Sequence, residues 1–134
     1  MEDVGATAEE VITKLVHTVH GENGDYDKID LTTGQIRKFL TAVNSLTSKI
    51  EVYKAQNEKF EKLPENFVME IKYLKVKIAY QAGRDKNKTV KNFVKESKLF
   101  ECIDKIGDSL TEYENFARYI EALVAYHKFY GGKD

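Results

Sequence analysis

Basic side chains are concentrated in one stretch of this 134-residue chain, where they could neutralise the phosphates of an anionic polymer. Residues 72–98 contain eight lysines and Arg84 against Asp85 and Glu96, a local charge of +7, whereas the whole chain has a formal net charge of −1. Lys and Arg supply most of the non-specific affinity of proteins for nucleic acid. The stretch therefore indicates either a polyanion partner or a solvated helix face whose acidic complement lies elsewhere in the fold.

A second group of candidate binding residues precedes this stretch. Four residues recur at the i, i+4, i+7 and i+11 spacing of one helix face: Lys38, Ala42, Ser45 and Lys49. Two small residues between two lysines would leave a shallow groove with positive rims, which a phosphate chain or another protein's backbone could approach closely. Arg37 begins an adjoining polar stripe, and no acidic residue occurs between Asp30 and Glu51.

Aromatic and basic residues alternate at the same spacing inside the basic stretch, at Tyr73, Lys77, Tyr80 and Arg84. Such side chains can stack on bases or riboses while they hold phosphates, although tyrosines packed on a neighbouring helix would give the same pattern. We expect Tyr73 to lie in the core. Arg84 follows Gly83 at a predicted helix end, where its guanidinium would be free to grip a phosphate in bidentate fashion.

Residues that could carry catalysis or hold a metal are few. The sequence contains no Gly-x-Ser-x-Gly, Walker or His-Glu-x-x-His motif, and Cys102 has no adjacent His or Lys to activate its thiol. His17 and His20, at i and i+3, could share a metal with a nearby glutamate, but without a third well-placed ligand they are more typical of polar groups at a helix end. His127 is expected to pack at an edge. We therefore expect neither an enzyme nor a cofactor.

The composition is that of one globular, helical domain spanning residues 1–134. Hydrophobic residues at 42% and charged residues at 32% are ordinary for such a domain, and a single Pro with abundant Lys, Glu and Ala favours helices. One cysteine excludes an internal disulfide and fits a reducing cytoplasm. No stretch approaches the roughly 20 apolar residues of a membrane span, and the acidic N-terminus is unlike a secretory signal. We expect a cytoplasmic protein without a membrane partner.

Apolar periodicity and capping patterns predict an all-α fold, a compact bundle of about five helices. The helices are expected over about 8–20, 65–82, 88–106 and 109–130, with a further helix that starts after Leu31, keeps its apolar period to Tyr53 and either ends at Pro64 or precedes a helix that begins there. Capping boxes are predicted at three pairs: Thr7 with Glu10, Thr32 with Gln35, and Ser109 with Glu112. We expect residues 1–6 to be disordered and residues 21–31 to form an acidic loop. No run alternates with period two for long enough to predict a strand.

Three segments resemble, in order and spacing, the small subunit of type III-A CRISPR (Csm) effector complexes. They are Leu31-Thr-Thr-Gly-Gln-Ile-Arg-Lys-Phe-Leu40, Leu74-Lys-Val-Lys-Ile-Ala-Tyr-Gln-Ala-Gly-Arg84 and Tyr113-Glu-Asn-Phe-Ala-Arg-Tyr-Ile-Glu-Ala-Leu-Val-Ala-Tyr-His127. The resemblance covers about residues 31–130. The acid-rich segment 22–30 has no counterpart in it.

The resemblance implies a compact helical protein that is not itself a nuclease. Its copies would stack head to tail along the complex, against the backbone subunits that hold the CRISPR RNA. The acidic ends of the chain, residues 1–30 and the part from residue 99 onward, and its basic middle suit such contacts. It would support the guide RNA and target RNA duplex through the sugar-phosphate chain, while cleavage would belong to the backbone and large subunits. Carried onto this chain, the RNA-facing candidates are Arg37, Lys38, Lys49, Lys77 and Arg84, with the two arginines as phosphate clamps.

Two other classes of protein fit the same residues. A helical adaptor that binds only protein would dock its basic stretch on an acidic partner, and it would show little salt-sensitive retention on heparin or poly-U. A DNA-binding regulator would need a helix-turn-helix pair, for which the 82–88 corner is suitably placed, but the preceding helix is long and apolar. Preference for duplex DNA of defined sequence would favour that class.

Overall fold

Helices and one β-hairpin make up the computed structural model of the protein, which describes residues 3–57 and 59–131. In chain order the elements are α1 (Val4–Leu15), β1 (Val16–Gly21), β2 (Gly24–Ile29), α2 (Thr33–Gln56), α3 (Glu65–Arg84), α4 (Thr89–Ser97), α5 (Leu99–Ile106) and α6 (Leu110–Phe129). The predicted helical bundle is confirmed. No helix in the described ranges has the length and apolar character needed to cross a membrane.

Helix α6 lies at the centre of the bundle, because α1, α2 and α5 all pack against it. Two of its buried tyrosines tie it to other helices. The Tyr113 hydroxyl donates to the Val43 carbonyl at 3.1 Å and lies 2.7 Å from the Thr47 hydroxyl, while the Tyr119 hydroxyl donates to the Ser97 carbonyl at 2.8 Å. Burial raises the pKa of Tyr113 to about 12 and also raises the pKa of Tyr119, so both hydroxyls stay protonated donors at neutral pH.

His127 joins the end of α6 to the start of α2. Its Nε2 lies 2.6 Å from the carbonyl oxygen of Leu31, to which the ring N–H donates. The predicted edge position is wrong, since only 1% of this residue is exposed. Burial lowers the pKa of His127 because the charged imidazolium would lose its hydration, so the ring is neutral at neutral pH.

The N-terminal helix begins and ends earlier than predicted. Helix α1 starts at Val4, and the carboxylate of Asp3 caps it by accepting the N–H groups of Gly5 and Ala6 at 3.0 and 3.1 Å. The predicted capping box at Thr7 and Glu10 is therefore wrong. Of the segment expected to be disordered, residues 3–6 form this cap and first turn, and residues 1–2 lie outside the described chain.

An antiparallel β-hairpin occupies the place of the end of the predicted first helix and of the predicted acidic loop. Its register pairs Val16 with Ile29, Thr18 with Asp27, and Gly21 with Gly24. Gly24 has φ +112°, the left-handed geometry that a tight hairpin turn needs and that glycine adopts without strain. Of β2 only Ile29 is buried, so the strand has no apolar alternation from which it could be predicted.

The predicted fourth helix is two helices, α4 and α5. Lys98 between them has φ 57°, a left-handed conformation, and its N–H is bonded to the Val94 and Lys95 carbonyls. The break frees the carbonyl of Ser97 from helical hydrogen bonding, and this carbonyl accepts a hydrogen bond from the hydroxyl of Tyr119. The residues predicted to be core on this segment are all buried: Val90, Phe93, Val94, Ile103 and Ile106.

Helices α2 and α3 are antiparallel neighbours. The predicted capping box of Thr32 and Gln35 is present at the start of α2, which ends at Gln56, well before Pro64. Gln81, in the last turn of α3, donates its side-chain N–H to the backbone carbonyl of Gln35 at 2.9 Å. At the other end of the pair, Lys49 meets Glu70. The side chains between these two contacts face each other across a groove.

Candidate nucleic-acid interface

Two adjoining depressions of about 330 and 180 Å³ lie between α2 and α3, and together they form what we name the α2–α3 groove. Helix α2 lines it with Lys38, Ala42, Ser45 and Lys49, and α3 lines it with Met69, Glu70, Tyr73, Lys77 and Gln81. Ala42, Leu74 and Lys77 border both depressions. Small side chains at the middle of the α2 wall leave the space open, so the α2 face on which a groove was predicted forms one wall of this groove and α3 forms the other.

Three of the five predicted site residues line this groove, but their charges are not equally available. Lys38 and Lys77 are exposed, and no carboxylate of the described residues pairs with either of them. Lys49 is different, because its Nζ lies 2.7 Å from Oε1 of Glu70. The free positive charge of the groove is therefore at Lys38 and Lys77, near the start of α2 and the second half of α3.

Glu70 was missed by the sequence reasoning, although a signal for it exists. It precedes Lys77 by seven residues, so helical spacing places the two side chains on one stripe of α3. Exposed ion pairs of this kind are worth only about 0–1 kcal/mol, because water and salt screen them. An anion of higher charge could therefore compete with Glu70 for Lys49.

The two predicted arginines lie outside the groove lining. Arg37 is exposed on the adjoining stripe of α2, about 100° around the helix from Lys38. Arg84 is the last residue of α3 and is also exposed. Because α2 and α3 are antiparallel, Arg37 and Arg84 belong to the same end of the helix pair. Neither forms an ion pair with a carboxylate in the described ranges.

The alternating aromatic and basic stripe of α3 is a surface feature. Tyr73 and Tyr80 are 58% and 70% exposed, so the predicted core position of Tyr73 is wrong. Lys77 Nζ lies 5.6 Å from the centroid of the Tyr73 ring, and the Arg84 guanidinium lies 5.8 Å from that of Tyr80. The core face of α3 consists of Phe67, Ile71, Leu74, Ile78 and Ala82.

Most cations of the basic stretch 72–98 have no acidic complement in the fold. Lys75 pairs with Asp104 at 2.9 Å. The other eight are exposed and form no ion pair with a carboxylate that the structure describes: Lys72, Lys77, Arg84, Lys86, Lys88, Lys91, Lys95 and Lys98. Among the described residues, therefore, an acidic complement within the fold is present for Lys75 and not for the other cations of the stretch.

His17 and His20 are possible metal ligands in the sequence and Cys102 is a possible reactive thiol, and the structure shows the surroundings of each. His17 pairs with Asp30 at 3.0 Å and His20 with Asp25 at 2.7 Å. Three residues apart on a strand, the two rings point to opposite faces of the hairpin and do not share a ligand site. In the part of the chain that the structure describes, no three His, Cys, Asp or Glu side chains are grouped to hold a metal. Burial raises the pKa of the half-buried Cys102 thiol.

The fold and the groove define a small helical protein with a cationic, tyrosine-bearing surface. A profile of the family described as Csm2 Type III-A matches residues 9–133, and the chain belongs to this family. The small subunit of type III-A Csm complexes, indicated by the sequence motifs, is thereby confirmed.

Similar proteins from three bacteria carry the description "CRISPR system Cms protein Csm2". The Streptococcus thermophilus protein is 41% identical over 104 residues, which are 78% of this chain and 76% of that protein. The Mycobacterium tuberculosis protein is 36% identical over 121 residues, 90% of this chain and 92% of its own length. The Enterococcus italicus protein is 33% identical over 102 residues, with coverages of 75% and 68%.

Proposed function

We propose that this protein is a non-catalytic small subunit of a type III-A CRISPR interference complex and holds RNA through its sugar-phosphate backbone at the α2–α3 groove. The observation that carries the proposal is the placement of Lys38 and Lys77 on the two walls of one groove without a carboxylate partner among the described residues. Family membership supplies the setting in which such a surface would meet RNA.

The physical basis of binding would be counterion release. Each phosphate that a lysine or arginine neutralises frees condensed cations, so affinity falls steeply as salt rises. Lys38 and Lys77 would provide contacts inside the groove, while Arg37 and Arg84 would clamp phosphates at the same end of the helix pair. Lys49 would exchange Glu70 for a phosphate. Because these groups reach only the backbone, guide and target RNA would be held without being read in sequence.

Other subunits would be the protein partners. Three acidic residues of the hairpin are exposed and lie outside residues 72–98 in the sequence: Glu22, Asp25 and Asp27. Copies of the chain would then stack head to tail, the acidic end of one against the basic stretch of the next, which is an open rather than a closed association. The backbone and large subunits of the complex would carry out the cleavage chemistry.

Removal of the two arginines tests the proposed contacts. In an assembled complex that carries Arg37→Ala and Arg84→Ala, target RNA should bind more weakly, and the slope of log affinity against log salt should fall by about 1 for each phosphate that is no longer neutralised. Arg118→Ala is the matched control, since Arg118 is an exposed arginine on α6 whose side chain reaches Asn115. Unchanged affinity and slope in the double variant would remove both arginines from the interface.

Replacement of Glu70 by glutamine should strengthen RNA binding. The change removes a carboxylate from the groove wall and releases Lys49, so affinity for poly-U should rise several-fold and the salt slope should steepen by up to about 1. Glu114→Gln is the control, because Glu114 pairs with Lys54 at 3.2 Å away from the groove. If both variants behave like wild type, Lys49 does not meet RNA. A protein-only adaptor would show no salt-sensitive retention on poly-U in any variant.

A further inference from the structure

The outward face of α3 carries a row of large apolar side chains that the bundle leaves uncovered. They recur at i, i+4, i+7 and i+11 and are 55%, 58%, 55% and 70% exposed: Met69, Tyr73, Val76 and Tyr80. The groove contacts proposed above use only the cations beside this row. Backbone contacts leave two exposed aromatic rings without a role.

We propose that Tyr73 and Tyr80 each stack on an unpaired base, which makes this face of α3 a site for single-stranded RNA next to the α2–α3 groove. The inference rests on the proposed function, because the same strand would place its phosphates on Lys77 and Arg84. Each tyrosine has one of these cations over its ring, at 5.6 and 5.8 Å from the centroid, so a stacked base would take the opposite face of the ring. A ring beside a cation is the arrangement that binds a base and its phosphate together.

The spacing of the two rings selects a single strand over a duplex. Tyr73 and Tyr80 are seven residues apart, which is about 10.5 Å along a helix. Successive bases in a stacked strand are about 3.4 Å apart, so the two rings would hold separate, splayed bases and not neighbours in a continuous stack. A paired helix keeps its base faces inside the stack, where no tyrosine of a rigid helix could reach them.

The charge around the row favours RNA over a protein partner. Lys72 lies on one side of it and Lys77 and Arg84 lie on the other, and none of the three pairs with a carboxylate of the described chain. A protein helix docking here would have to supply acids on both of its edges. A polynucleotide offers flat apolar faces and a continuous row of negative charge in one ligand.

A pair of oligonucleotides separates stacking from charge. One is a short unpaired RNA with 2-aminopurine at internal positions, and the other has the same phosphates but abasic sugars. The wild-type protein should bind the base-bearing strand about fivefold or more tightly and quench the 2-aminopurine fluorescence. Tyr73→Leu with Tyr80→Leu should bind both strands with the affinity of the abasic one, without quenching and with an unchanged salt slope. Phe129→Leu, at a 77% exposed ring on α6, should behave as wild type.

The possible failures are distinguishable. Equal binding of both strands to the wild-type protein would overturn stacking while leaving the proposed backbone contacts intact. Absence of binding to either strand would overturn the proposed function and this inference with it. If the double leucine variant binds RNA normally but no longer assembles with the other subunits, the row is a protein contact and the inference is wrong.

Discussion

Charge reversal at Lys38 and Lys77 together should reduce RNA affinity by about 100- to 1,000-fold, with the smaller loss at physiological salt. A cation near an anionic surface contributes about 1 kcal/mol, and its reversal adds a repulsion of similar size, so two reversals amount to about 4 kcal/mol. Both residues are exposed helix positions on the groove walls, so Lys38→Glu with Lys77→Glu should leave the fold intact. Anisotropy of a labelled RNA, followed across a salt series, measures the effect.

A second charge reversal on α4 shows whether the groove or the basic stretch as a whole is responsible. Lys91 and Lys95 are exposed lysines of the same stretch but do not line the groove. Lys91→Glu with Lys95→Glu changes the net charge equally, so a diffuse field would predict the same loss. We expect a loss of about tenfold or less. Equal losses of affinity in the two variants would mean that RNA binding depends on the overall charge of the basic stretch and not on the groove.

The α2 wall of the groove was predictable because its signal is local and periodic. The spacing of Lys38, Ala42 and Lys49 determines which face of α2 they share, and long helices keep that relation without distortion. The capping box at Thr32 determines the start of the helix in the same way. Which neighbour would close the groove did not follow from α2 alone, because it depends on the antiparallel pairing with α3.

The errors have tertiary causes. The left-handed turn at Lys98 is held by Tyr119 from another helix, and no Gly or Pro in the sequence marks it. The expectation for Tyr73 is the exception, because it followed the aromatic type of the residue, whereas helical phase, which the sequence does show, puts Tyr73 opposite Ile71 and Ile78. His127 is buried because a backbone carbonyl 96 residues away accepts its N–H. Such partners are set by the packing of the whole bundle and leave no mark in the local pattern.

Replacement of Phe93 by alanine should produce the largest loss of stability among the substitutions considered. Phe93 is 1% exposed, and its ring stacks on Phe39 with centroids 5.8 Å apart and an interplanar angle of 12°. Truncation of a buried Phe removes its transfer free energy and leaves a cavity, which together cost about 3–5 kcal/mol. For a domain whose total stability is about 5–15 kcal/mol, this should lower the melting temperature by about 10 °C or more.

Phe129→Ala is the control, since that ring is 77% exposed and its loss should change the free energy of unfolding by no more than about 0.5 kcal/mol. Urea unfolding followed by circular dichroism measures both variants.

The Phe93 variant also separates the effect of the groove's shape on RNA affinity from the effect of its charge, because Phe93 packs on Phe39, which lines the groove next to Lys38. Under conditions where it remains folded, RNA affinity should fall while the salt slope stays that of wild type, because no cation has been removed. A changed slope would show that the Phe39–Phe93 stack positions the groove lysines and does not merely stabilise the fold.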